Sequence, residues 1–260
     1  MTQPDLSRYQ IIVVNSSAGK DSQAMLDYVV EQADAAGVRD RIVVVHADLG
    51  RIEWPGTREL AERQAQHYGV RFEVVRRKGS DLLGRIEERG MFPDARNRWC
   101  TSDFKRTPVS TVITRLVAEQ PRSFTWVLNC MGLRADESSA RAKKLPFEND
   151  ARLSNGRRRV DTWLPIHDWV EARVWWRIRQ SGVPHHPAYD QGMPRLSCSF
   201  CVLASRSALV RAAQLRPDLA AEYAAVEDRT GHLFRKDLSI QAVIEEAAGA
   251  DVTTVQPWAA

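Results

Sequence analysis

From Tyr9 to Gly37 the chain reads YQIIVVNSSAGKDSQAMLDYVVEQADAAG. Its first part is a short apolar, β-branched run closing on small residues, the pattern of a buried strand. Beyond Asp21, apolar residues recur at Met25, Leu26, Val29 and Val30, one face of a helix that Gly37 ends. Between strand and helix stands SSAGKDSQ, Ser16 to Gln23. Small side chains there (Ser16, Ser17, Ala18, Gly19) let the backbone turn sharply and bring its N–H groups close to a ligand. The helix N-terminus behind them adds partial positive charge, which makes an anion site. Lys20 adds a full charge, and Ser17 and Ser22 add hydroxyls. A Walker loop is excluded, because Val14 stands where its first glycine belongs and Asp21 follows the lysine. The GxGxxG dinucleotide fingerprint is absent as well.

The same alternation continues outward. RIVVVHADLG (41–50), VRFEVVRR (70–77) and SFTWVLNCMG (123–132) read as strands. Helical patterns at 57–69, 81–89 and 103–118 separate them. Strands alternating with helices predict an α/β fold built on a doubly wound parallel sheet, with ligands collecting beyond the carboxyl ends of the strands. Asp48 reaches that edge at the end of the second strand. ESSARAKKLPFENDARLSNGRRR (137–159) has no clean period and reads as a long basic loop. IHDWVEARVWWRIRQSG (166–182) reads as an amphipathic helix whose tryptophans pack in the core, and the last stretch as two or three further helices. The expected organisation is a nucleotide-binding domain with a cysteine site over 1–203 and a helical extension over 204–260.

Composition narrows the function classes. Hydrophobic residues make up 43% and charged residues 27% of the 260 residues, with no apolar run approaching the ~20 residues of a membrane span. MTQPDLSRYQ lacks the basic start and apolar core of a signal peptide, so a cytoplasmic location is expected. Disulfides are not expected there. Arg134 to Arg159 holds eight Lys/Arg against four Asp/Glu, a surplus equal to the whole net charge of +4. Cysteines occur at Cys100, Cys130, Cys198 and Cys201. The C-x-x-C pair on its own is compatible with a redox dithiol, half a zinc site or half an iron–sulfur site.

SSAGKDSQ resembles the S-G-G-x-D-S signature of the PP-loop ATP pyrophosphatases, with Ala18 in place of the first glycine. VHADLGRIEWPGT, RWCTSDFKRTPV, GLRADESSARA and the segment from LPIHDW to LSCSFC are similar, in order, to segments of the sulfonucleotide (APS/PAPS) reductases of that superfamily. The resemblance spans roughly Gln10 to Leu203. It implies an adenine nucleotide alpha hydrolase-like fold. It also implies nucleotide contacts from Ser16, Ser17, Ala18, Gly19, Lys20, Asp21, Ser22, Asp48, Gly132, Arg134 and Arg141. Lys20, Asp21, Asp48, Arg134 and Glu137 are then the candidate catalytic residues, with Asp21 and Asp48 as Mg²⁺ ligands. By the same resemblance Cys100, Cys130, Cys198 and Cys201 would hold a four-iron, four-sulfur cluster, three or all four of them ligating, with zinc as the alternative. Cys100, placed just before a helix, is expected to favour its thiolate.

In the reductases a cysteine in the C-terminal segment attacks sulfur, whereas everything after Cys201, ending DVTTVQPWAA, is cysteine-free. The sequence therefore also resembles the reductase-like ATPase component of DNA phosphorothioation systems. On that resemblance the expected activity is cleavage of ATP to AMP and pyrophosphate, activating an acceptor oxygen for sulfur insertion. A sulfur donor such as a cysteine desulfurase would then be a partner, and DNA or RNA would meet the basic loop at 141–159. Alternatives are a sulfonucleotide reductase using an external thiol and a non-catalytic nucleotide-binding subunit.

Overall fold

The computed structural model describes residues 3–250; the closing segment DVTTVQPWAA and the end of the 204–260 extension lie outside them. In chain order the main elements are β1 (Ile11–Ser16), α1 (Lys20–Ala35), β2 (Ile42–Asp48), α2 (Thr57–His67), β3 (Arg71–Arg76) and α3 (Leu82–Arg89). Then come α4 (Trp99–Thr101), α5 (Thr107–Ala118), β4 (Thr125–Cys130), α6 (Ser139–Ala142), β5 (Phe147–Asn149) and β6 (Arg158–Trp163). The chain continues through α7 (Glu171–Ser181), α8 (Arg206–Leu215), α9 (Pro217–Thr230) and α10 (Ile240–Gly249). Among the described residues no helix is long and apolar enough to cross a membrane.

The chain folds as two compact units. The first gathers residues up to Ala47 with Thr57–Val75 and Pro108–His185; the second gathers Asp48–Gly56, Arg76–Thr107 and residues from His186 on.

The strands form one six-stranded sheet in the order β3-β2-β1-β4-β6-β5, with β1 parallel to β2 and β4, β4 parallel to β6, and β5 antiparallel to β6. The fold is α/β with a doubly wound, mostly parallel sheet. Alternation along β1 explains the winding. Ile12 and Val14 pack on one face with Met25, Leu26 and Val29 of α1 and Val174 and Ile178 of α7. Ile11 and Val13 pack on the other with Val109, Val112, Ile113 and Leu116 of α5. Each such fully buried side chain contributes about 1.5–3 kcal/mol relative to leaving it exposed.

One strand, β5, lies inside the segment that the sequence reads as a basic loop, and β6 begins within it. Asn155 bridges Arg158 to close a hairpin, and β5 and β6 follow on its two arms. The charges hide β6 because Arg158 is buried, donating from Nε to the Leu153 carbonyl (2.7 Å) and from a terminal nitrogen to Thr114 Oγ1 (2.8 Å). The helix expected over 103–118 is also modified: a π turn, Ser102–Arg106, joins α4 to α5.

The second unit packs α8, α9 and α10 around an aromatic core of Phe92, Phe200, Tyr223 and Phe234. Glu227 pins it, accepting the backbone N–H groups of Phe234 (2.5 Å) and Ile240 (2.8 Å).

Candidate functional site

The loop after β1 is held by its own hydroxyls. Ser22 Oγ donates to the Gly19 carbonyl (2.9 Å) and accepts the Ser17 N–H (3.2 Å), while Ser16 Oγ accepts the Ala18 N–H (3.2 Å). Ala18 adopts φ 54°, the only positive φ outside glycine among the described residues, so the residue replacing glycine carries a left-handed backbone that costs about 1–2 kcal/mol. Gly19 precedes α1 with no side-chain cap, leaving the first N–H groups of a 16-residue helix open to an anion.

A second segment closes on this loop from the end of β4. A Cβ on Gly132 would stand 3.0 Å from the Asp21 carbonyl oxygen, so a larger residue there would press on the Asp21–Ser22 backbone. Arg134, 2% exposed, donates from Nε to Asp21 (2.5 Å), and from a terminal nitrogen to Asp136 (2.5 Å) and to the Trp169 carbonyl (3.2 Å). Glu137 accepts the Arg134 backbone N–H (3.1 Å) and pairs with Arg141, whose carbonyl bonds the His167 ring (3.0 Å). The structure thus brings together Ser16, Ser17, Ala18, Gly19, Lys20, Asp21, Ser22, Gly132, Arg134, Glu137 and Arg141 within the first unit.

Glu171, which the sequence reading missed, completes the arrangement. Its carboxylate lies 3.6 Å from Lys20 Nζ through one oxygen and 3.6 Å from Arg134 through the other, and it accepts from the Trp175 indole (3.3 Å). Lys20 is 2% exposed, so this carboxylate stands where the buried cations converge. Helical periodicity puts Glu171 on a first turn, and nothing local in the sequence tells which distant cations it meets.

Asp48 ends β2 and belongs to the second unit, where it accepts the Gly50 N–H (2.7 Å). In the first unit His46, which is opposite Ser16 in the sheet, bonds the Ser16 carbonyl through Nδ1 (3.0 Å).

The cysteines fall into two environments. Cys130 is fully buried in the apolar core of the first unit, and burial drives its thiol far above the usual range. Cys100, Cys198 and Cys201 belong to the second unit and act on one another electrostatically. Burial raises the Cys100 thiol and pushes Cys198 up to about 12. Cys100 lies within α4 rather than ahead of it, so burial outweighs the expected helix effect. Among the described residues no three His, Cys, Asp or Glu side chains are placed to hold a single metal ion. A tetrahedral zinc site needs its thiolates tightly convergent, whereas an iron–sulfur cluster binds each cysteine through a different iron. Cys100 and Cys198 pack against the same apolar core of the second unit.

Residues 11–204 match the family described as the phosphoadenosine phosphosulfate reductase domain. An adenosine 5'-phosphosulfate reductase of Allochromatium vinosum is 30% identical over 198 residues, 74% of this chain and 68% of that protein. An uncharacterized 37.8 kDa protein of Escherichia phage 186 is 28% identical over 148 residues, 57% of this chain but only 42% of its own length. Among solved structures, a phosphoadenylyl-sulfate reductase from Candida auris in a phosphate complex is similar with a TM-score of 0.48 and 18% identity, over 76% of this chain and 82% of that one. With most of its length inside the matched region, the chain belongs to the phosphoadenosine phosphosulfate reductase domain family.

Proposed function

We propose that this chain is a sulfonucleotide reductase that takes electrons from an external dithiol. The observation that carries this reading is the convergence of Arg134 and of Lys20, which is within the Ser16–Ser22 loop, on one anionic position, now filled by the Glu171 carboxylate. A phosphosulfate or phosphate group matches that charge, and Arg134 is a donor suited to either. The relatives named as adenosine 5'-phosphosulfate reductases support the choice of nucleotide.

In this reading an external thiolate attacks the sulfate sulfur. The S–O bond to AMP breaks, its electron pair leaving on the phosphate oxygen, and a thiosulfonate remains on the thiol. The second thiolate of the same molecule attacks the first thiol's own sulfur, forming a disulfide while sulfite leaves with the electron pair of the broken S–S bond. Lys20, the loop N–H groups and Arg134 stabilise the charge gathering on AMP as it departs. The thiol is assigned to a separate molecule because Cys130 is buried and the other three cysteines of the sequence form one group. Cys100, Cys198 and Cys201 would hold an iron–sulfur cluster, which supplies redox-active iron and anionic sulfide when bound.

A second reading is ATP-driven activation of an acceptor, DNA or RNA included, for sulfur insertion. It is favoured by Lys143, Lys144 and Arg157, which are exposed and have no acidic partner among the described residues. Anaerobic calorimetry with adenosine phosphosulfate, its 3'-phospho form and ATP–Mg²⁺, followed by assay of sulfite with a dithiol, separates the two. Tight sulfonucleotide binding with dithiol-dependent sulfite release is expected. A preference for ATP with release of AMP and pyrophosphate would replace the first reading by the second.

A further inference from the structure

Tyr223, on α9, is 1% exposed in the aromatic core of the second unit. Its ring packs against Phe200, which stands inside the C-x-x-C pair, at 5.1 Å between centroids, and against Phe92 and Phe234 at 6.3 Å each. Yet its hydroxyl has no hydrogen-bond partner among the described residues. Buried tyrosines ordinarily satisfy that group, and a phenylalanine would fill the same aromatic cluster without leaving a polar atom dry.

Cys198, Cys201, Asp81 and Cys100 act on the hydroxyl electrostatically, as does Arg216. Asp81 is already committed, accepting from Arg51 (2.6 Å) and from the Gly84 N–H (3.0 Å). Cys100 and Cys198 pack against the same apolar core that buries Tyr223, which puts sulfur among the acceptors nearest to this part of the core. The position is firmly held, since Leu219, Ala220 and Val226 of the same helix are buried and Glu227 ties its C-terminal turn to Phe234 and Ile240.

We propose that the Tyr223 hydroxyl donates a hydrogen bond to sulfur at the Cys100–Cys198–Cys201 site when that site is loaded. The donor comes from beyond residues 11–204, so the helical region contributes a positioning residue that the family-matched stretch does not contain. This rests on the reading that the three thiolates hold an iron–sulfur cluster. A hydrogen bond to a ligating or bridging sulfur withdraws negative charge from it, which raises the reduction potential and slows loss of iron.

The test compares the anaerobically purified full chain with Tyr223→Phe and with Phe92→Leu, which disturbs the same core and leaves the hydroxyl. Iron and sulfide per chain, the midpoint potential and the rate of iron loss to a ferrous chelator are measured. Tyr223→Phe is expected to keep its iron and sulfide, shift to a lower potential and release iron roughly tenfold faster. Phe92→Leu should leave the potential unchanged. Without the cluster, Tyr223→Phe should unfold at the same temperature as the parent or above it. Equal potentials and equal iron loss would overturn the role of Tyr223 and leave the cluster reading standing. An equal shift in Phe92→Leu would overturn it too, assigning the effect to packing. Absence of iron and sulfide from the parent after reconstitution would overturn the cluster reading, and this proposal with it.

Discussion

Replacing Glu171 by Gln tests whether its carboxylate competes with the ligand. Glu171 bridges Lys20 and Arg134 at 3.6 Å to each, and both cations are nearly inaccessible while Glu171 is 41% exposed. At an effective dielectric of ~20, a bare pair at that distance interacts by about 4–5 kcal/mol. Solvent reaches the carboxylate, so each pair is discounted to about 0.5–1 kcal/mol. An incoming anion that must displace Glu171 therefore forfeits about 1–2 kcal/mol, a factor of roughly 5–30 in affinity. Glutamine keeps the shape and an oxygen to accept from Trp175 but removes the charge. Titration calorimetry with adenosine phosphosulfate should show that tightening in Glu171→Gln, with steeper salt dependence in the variant than in the parent, whose screened ion pairs offset the screened attraction. Affinity that is unchanged or weaker, in a variant that unfolds normally in urea, would show that the carboxylate positions the two cations instead of blocking them.

Other substitutions probe the loop and the thiols. Ala18→Gly removes the left-handed strain at φ 54° but adds unfolded-chain entropy, leaving a net gain of about 0.5–1 kcal/mol in urea unfolding; a loss of that size would show that the buried methyl packs usefully. Gly132→Ala drives a Cβ to 3.0 Å from the Asp21 carbonyl, pressing on the Asp21–Ser22 backbone of the loop, and should cost about 1–3 kcal/mol of stability together with at least tenfold in nucleotide affinity. The Cys198 thiol is raised from about 9 to about 12, so the folded chain holds a proton that the unfolded chain releases between those values. That contribution is complete below pH 9 and is lost as pH rises through 12. Cys198→Ser should flatten the alkaline fall in stability of the metal-free protein, and an unaltered profile would assign the fall to other groups.

Much of the sheet was legible because its signal is local. β1, β2, β3 and β4 are apolar runs between helical patterns, and Ser16–Ser22 announces itself through residue type. β5 and β6 were hidden because Arg158 and Arg159 open a strand with charges, and only the tertiary placement of Thr114 and Leu153 shows how one of them is buried. Gly132 and Arg134 were placed by resemblance, but the steric reason for Gly132 is the Asp21 backbone from a segment more than a hundred residues earlier. Glu171 carried no local mark at all. The cysteine spacing showed a pair, while the grouping of Cys100 with it, and the isolation of Cys130 within the first unit's core, depend on where the chain returns.

The interleaving of the two units has a consequence for synthesis on the ribosome. Neither unit is a continuous stretch: the second is begun by Asp48–Gly56 and Arg76–Thr107 and finished only by the chain from His186. Leu49, Ile52, Trp54, Leu82, Leu83 and Ile86 therefore leave the exit tunnel well before Leu209, Ala212, Tyr223 and Val226, which share their core. At roughly 5–20 residues per second, the apolar surface of the early segments waits roughly 6 to 35 seconds for those partners. During that interval it is open to chaperones and to neighbouring nascent chains. Slowing translation upstream of α8 should therefore lower the soluble yield more than slowing it near the end of α10.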